Sequence, residues 1–154
     1  MTFGWRLVKQ RRASTAFSGE GARLYPGRWN RAGTAMVYTC ESVALAALEV
    51  FVHLGRTDTA IEFALFQVTI PDHFIEDLDS ARLPTDWRDQ PATDSTKNIG
   101  TDWVNSMTTA VLRVPSVIVE TEFNLLLNPS HPDFSSIGFG GQSRFAFDRR
   151  MLKS

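Results

Sequence analysis

The chain reads as an α+β protein with largely antiparallel strand pairing, and three observations lead there. Runs with the β-branched and aromatic content of strands outnumber helical ones, most connections are short, and ESVALAALEVFVHL is too uniformly apolar and helix-forming to be a strand. At 154 residues the length suits one domain spanning 1–154 with a core of its own.

Taken in order, WRLVK at 5–9 predicts a first strand. The following stretch, QRRASTAFSGEGARLYPGRWNRAG, is rich in Gly, Ser and Arg and predicts a long loop of functional character. TAMVYT at 34–39 predicts a strand that runs directly into a helix start, where Glu41 and Ser42 supply the acid and hydroxyl favoured at a helix N-terminus. That helix extends to Leu54 and stops before Gly55. IEFALFQVTI at 61–70 predicts a longer strand ended by Pro71. The acidic, proline-containing stretch 77–100 predicts a surface excursion, and Thr101 caps a helix running to Val111. Strands are expected at 116–121 and, from SRFAFD, at 143–148.

Charge and composition narrow the function. A hydrophobic fraction of 43% and a charged fraction of 21% are those of an ordinary globular protein. No apolar run reaches the roughly 18 residues of a membrane span, and MTFGWRLVKQRR lacks the apolar region of a signal peptide, so a cytoplasmic protein without membrane association is expected. The net charge of -1 conceals a polarity. Residues 1–31 hold seven bases and one acid, and residues 32–102 hold twelve acids and four bases, so a phosphate-bearing ligand is drawn to the first segment. The slightly acidic whole argues against direct nucleic-acid binding.

Chemistry concentrates on the apolar helix. At about 100° per residue, Ser42, Glu49 and His53 fall within about 40° of one another beside Ala46, while every other position is apolar. Such a helix is expected to be buried, with one polar line opening onto a cleft or onto solvent. A carboxylate there is suited to stabilising positive charge or accepting a proton. In PGRWNRAG, Gly27 and Gly33 allow close backbone approach and Arg28 offers a planar donor fork matched to phosphate oxygens; Tyr38 offers a ring to a planar ligand. Each of these three residues also has an ordinary structural reading.

Together, AFSGEGARLYPGRWNRAGTAMVYTCESVALAALEVFVHL, LRVPSVIVETEFNLLLNPSHPDF and FAFDRRML resemble the RES domain, a family of bacterial toxins named for arginine, glutamate and serine. The resemblance covers nearly the whole chain apart from the acidic excursion, whose part from Pro84 to Gly100 is longer than the family leads one to expect. It implies a fold similar to ADP-ribosyltransferases and consumption of NAD+ by hydrolysis or phosphorolysis of the nicotinamide–ribose bond, or in one branch ADP-ribosylation of a protein. Carried over by motif, the family residues are Arg28 of GRWN, Tyr38 of VYT, Glu49 of LEVFVHL and Ser116 of VPS; Ser130 also fits the letter of the name, but the VPS position matches better.

The implied chemistry gives each residue a task. Breaking the bond builds an oxocarbenium-like cation, so Glu49 stands beside it, and nicotinamide needs no acid because it leaves neutral. Arg28 holds the pyrophosphate or incoming inorganic phosphate, Tyr38 packs on nicotinamide or its ribose, Ser116 hydrogen-bonds a ribose hydroxyl or the carboxamide, and Arg6 is a candidate second phosphate contact. No metal and no cofactor beyond NAD+ as substrate is required. The implied partner is an Xre-type antitoxin that covers the pocket and makes the DNA contact, with room for a homodimer inside the complex. Against this stand a cysteine hydrolase built on Cys40 with His53 or His131 and a non-catalytic nucleotide- or partner-binding module.

Overall fold

The computed structural model describes residues 1–55 and 61–151. Its frame is a seven-stranded sheet made from β1 (Thr2–Lys9), β2 (Val37–Cys40), β3 (Phe63–Ile70), β4 (Ile75–Asp77), β5 (Val111–Pro115), β6 (Phe123–Leu127) and β7 (Gly138–Phe145), in the order β4-β5-β6-β2-β1-β3-β7. All neighbours pair antiparallel except β4 and β5, which are parallel. Among the described residues three α-helices accompany it: α1 (Glu20–Leu24), α2 (Val43–Phe51) and α3 (Asp94–Ser106). The α+β architecture thus agrees with the sequence reading.

Both covers of one sheet face meet at β2. Side chains alternate along a strand, so Tyr38 and Cys40 share a face. Tyr38 packs on a cluster built from Trp29, Trp87, Trp103, Val104, Leu112 and Leu126, and Cys40 packs with Leu7, Leu45, Ala46 and Phe63 beneath α2. The other face buries Val37, Val68, Ile70, Val111, Leu125 and Leu127 against Phe74 and Ile137. The cluster under α2 and the tryptophan cluster therefore adjoin along β2, at Cys40 and Tyr38.

Several boundaries depart from the sequence reading. The predicted helix at 101–111 begins at Asp94 and ends at Ser106, with Met107 in the left-handed conformation (φ 56). Gly100 therefore lies inside α3: it lets the helix lie against the backbone of Trp29, where a Cβ would meet the carbonyl oxygen at 1.8 Å. The excursion at 77–100 is correspondingly less of a surface feature than its composition suggests, since Leu78 and Trp87 are buried. No strand occupies 116–121. Pro115 closes β5, and the next residues turn, with Ser116 N–H donating to the carbonyl of Glu122 at 2.9 Å and Glu122 N–H to that of Val119 at 2.9 Å. The last strand is displaced to Gly138–Phe145, the first extends back to Thr2, and the loop at 10–33 contains α1 and a 3-10 turn at Gln10–Thr15.

The apolar helix is as expected at its start and less buried than expected along its length. Ser42 caps α2, its hydroxyl accepting from Leu45 N–H at 3.1 Å. Leu45 and Ala46 are buried, but Ala44 is exposed, as are Val52 and His53 just beyond the helix end. Glu41 lies outside the helix and binds the sheet instead, accepting from Phe123 N–H at 3.1 Å and approaching Arg113 at 3.5 Å. Among the described residues, no helix is long and apolar enough to cross a membrane.

Candidate active site

Glu49, on the half-covered side of α2, reaches over the boundary to the β5–β6 half of the sheet. Its Oε1 accepts two hydrogen bonds, from Ser116 Oγ at 2.9 Å and from Asn124 Nδ2 at 3.1 Å, while Oε2 has no partner among the described residues. A carboxylate held this way by one oxygen keeps the other for a further contact.

Ser116 is fully buried, with 0% of its surface exposed. Its oxygen accepts from Ile118 N–H at 3.0 Å and Val119 N–H at 3.2 Å. A hydroxyl has one hydrogen and two lone pairs; with both lone pairs taken, the hydrogen goes to Glu49. The tight turn that displaces the expected strand is what places this serine. Ser130, by contrast, is exposed beyond β6, with its N–H on Asn128 Oδ1 at 3.0 Å.

Tyr38 and Arg28 are joined through one loop. The Tyr38 hydroxyl donates to Asn30 Oδ1 at 2.6 Å and accepts from Trp29 N–H at 3.0 Å. Asn30, itself 0% exposed, also accepts from Gly27 N–H at 2.9 Å and donates to the carbonyls of Ala22 at 2.7 Å and Thr34 at 3.1 Å. Gly27 is required here, because a Cβ would stand 2.7 Å from the tyrosine oxygen. Burial pushes the Tyr38 phenol pKa upward, so it stays neutral and able to donate.

Arg28, half-buried, donates from Nη1 to the carbonyls of Trp87 and Asp89, each at 2.8 Å. This leaves Nε and Nη2 without a partner among the described residues. Partial burial lowers its pKa, while the negative field of Glu49 opposes the shift. Glu49 and Arg28 are therefore electrostatic neighbours, near enough for the field of the carboxylate to act on the guanidinium.

Arg6 is placed differently. Trp5 and Leu7 face α2, so by alternation Arg6 points to the opposite face. It donates to the carbonyl of Tyr38 at 2.8 Å and to that of Ala16. β1 and β2 share only the Trp5↔Cys40 register pair, and the guanidinium supplies to Tyr38 a donor that the ladder does not. Burial pushes the Arg6 pKa down to about 10, with Cys40 acting in the opposite sense.

Cys40 makes a poor nucleophile. It is buried, and burial followed by the field of Glu49 drives its thiol pKa up. His131 caps a 3-10 turn through Nδ1, which accepts from Asp133 N–H at 3.0 Å, and its Nε2 lies 3.1 Å from the carbonyl of Met107. Two residues that sequence reasoning passed over, Asn30 and Asn124, hold the loop and the carboxylate. Asn30 carries a signal in the GRWN motif itself, whereas Asn124 is visible only through strand register.

Comparisons with known proteins place the chain in a family. A sequence model of the RES domain matches residues 4–148. The chain is 44% identical to "Toxin Res" of Yersinia enterocolitica over 148 residues, which is 96% of this chain and 97% of that protein. It is 38% identical to "Prs ADP-ribosylating toxin" of Sphingobium sp. over 154 residues, 97% of this chain and 96% of that one. The toxin–antitoxin complex MbcT–MbcA of M. tuberculosis contains a chain that superposes with a TM-score of 0.76 at 18% identity, covering 94% of this chain and 84% of that one, a likeness of fold. Matched over nearly its full length and sharing more than a third of its residues with two toxins so named, the chain belongs to the RES domain family.

Proposed function

We propose that this protein is the toxin of a toxin–antitoxin pair and that it depletes NAD+ by breaking the bond between nicotinamide and ribose. The observation that carries the reading is Glu49, fixed at Oε1 by Ser116 and Asn124 with Oε2 open, opposite a half-buried Arg28. The bonding pair passes to the ring nitrogen, so the pyridinium leaves as neutral nicotinamide and the ribose carbon is left cationic. Water then adds and sheds a proton, giving ADP-ribose; inorganic phosphate, as co-substrate, gives the ribosyl 1-phosphate instead.

Glu49 accelerates the reaction because its charge is matched by positive charge that develops only as the bond breaks. A carboxylate about 4 Å from a unit cation contributes about 4 kcal/mol at an effective dielectric of about 20, roughly a thousandfold in rate. The two free donors of Arg28 suit a pyrophosphate oxygen pair. Ser116 orients Glu49 and does not contact the sugar, since its hydroxyl is saturated. Tyr38 shapes the loop that carries Arg28 and offers its ring, not its hydroxyl, to the ligand. Arg6 braces β2, and neither a metal nor a further cofactor takes part.

A second reading keeps the same cation and changes the acceptor to a protein side chain. The Sphingobium relative favours it, being named as an ADP-ribosylating toxin. Under either reading the partner is an antitoxin of the Xre type, which shields the crevice and makes any DNA contact, and the site of action is the cytoplasm. The test is to incubate the pure protein with NAD+, with and without inorganic phosphate, and weigh the products. Release of nicotinamide by wild type and a loss of about a thousandfold in Glu49→Gln are expected; full activity in Glu49→Gln would sink the mechanism.

A further inference from the structure

Asn124 is an expensive choice of residue for its position. It stands in FNLLL on β6, opposite Cys40 of β2 and Val114 of β5, and only 9% of its surface is exposed. Asparagine is depleted in strands, and the next three residues, Leu125, Leu126 and Leu127, are fully buried. A leucine of nearly the same shape would fit the pattern of the strand.

The side chain is also only half satisfied. Glu49 Oε1 is an acceptor, so the amide must turn its NH2 toward it, and this fixes the orientation of the whole group. The carbonyl Oδ1 is thereby turned away, and it is buried without a hydrogen-bond partner among the described residues. An orphaned buried acceptor lowers stability, and residues that break local rules in this way concentrate where function requires them. The one thing Asn124 does with its hydrogen-bonding capacity is to hold Glu49. Ser116, the other donor to the same oxygen, sits in the β5–β6 connection, so a turn and a strand each supply one donor to Oε1.

We propose that Asn124 is a positioning residue: with Ser116 it pins Oε1 and so dictates that Oε2 is the oxygen presented to the developing cation. The proposal rests on the role of Glu49 argued above. It assigns a working part to a residue outside the arginine, tyrosine, glutamate and serine that motif reasoning selects. It also predicts that function and stability at residue 124 pull in opposite directions.

Two substitutions test it. Asn124→Leu removes the donor and the orphaned acceptor together; its Tm is expected at or above that of wild type, its kcat for NAD+ lower by about ten- to a hundredfold, and its KM within about twofold. Asn124→Asp keeps the shape but sets a second carboxylate against Glu49, and like charges in contact favour protonation of one of them. The acid limb of its activity–pH profile is expected to move to higher pH, because the added carboxylate lies against Glu49 Oε1. A folded Asn124→Leu with kcat within twofold of wild type, or an unmoved acid limb in Asn124→Asp, overturns the proposal. Growth arrest on expression separates it from the reading beneath it. If wild type arrests growth without consuming NAD+, the NAD+ reading falls, and Asn124 is judged on arrest alone: a folded Asn124→Leu that no longer arrests growth sustains the positioning role, and one that still arrests growth refutes it.

Discussion

Replacing Tyr38 by Phe deletes a single oxygen and leaves the ring on the tryptophan cluster. That oxygen is the acceptor for Trp29 N–H, at a residue 1% exposed, and a donor to Asn30 Oδ1. Losing it orphans a buried N–H, at about 1–3 kcal/mol, and removes one of two donors from Asn30 Oδ1, which retains Gly27 N–H, at about 0.5–1.5 kcal/mol. A total of about 1.5–4.5 kcal/mol in a chain of this size lowers Tm by roughly 3–18 °C, readable by circular dichroism at pH 7. Arg28 immediately precedes Trp29, so the same change loosens the guanidinium, and KM for NAD+ is expected to rise about tenfold with kcat less affected. A Tm within about 1 °C of wild type would refute the idea that this hydroxyl holds the loop. An unchanged Tm with lost kcat would further mean that the hydroxyl touches the substrate.

Two other outcomes follow from the packing. Gly100→Ala forces a methyl toward the Trp29 carbonyl at 1.8 Å and should cost about 3 kcal/mol or more, a fall in Tm of at least about 6 °C or a failure to fold. Because burial raises the Cys40 thiol above its ordinary value of 9.0, the unfolded thiol ionises first as the pH rises. The folded state then holds the extra proton, so this contribution to stability is complete below about pH 9 and declines above it. Chemical denaturation at pH 8 and pH 10 should show a smaller loss for Cys40→Val than for wild type, and a thiol reagent at pH 8 should label Cys40 only as fast as the chain unfolds.

The place of Glu49 on its helix was legible because the setting is simple, one acid on an otherwise apolar helix begun by a serine cap; the end was not, since α2 stops at Phe51 and not at Leu54. The α+β class followed from the count of strand-like runs. What the sequence obscured depends on distant partners. VPSVIV has the β-branched content of a strand, yet Pro115 ends the ladder and the Ser116 hydroxyl gathers two backbone N–H groups into a turn. That turn converts a residue expected to touch the ligand into one that orients Glu49. The polar start of α3 and its Gly100 resemble a loop until Trp29 is known to lie against them. Asn124 acquires meaning only from the register that sets β6 beside β2 and from the reach of α2 across it.

The single register pair between β1 and β2 has a mechanical consequence. It divides the sheet into a slab of β4, β5, β6 and β2 and a slab of β1, β3 and β7, joined along a seam with little ladder of its own. Arg6 rivets the seam from one side, through the carbonyl of Tyr38. Glu49 ties it from the other, carried by a helix seated partly on β1 and bonded to residues of the far slab. The carboxylate is thus a tie-rod whatever else it does, and anything that occupies its second oxygen loads the joint: amide hydrogens flanking the seam should exchange more slowly in the occupied protein, reporting occupancy without any turnover.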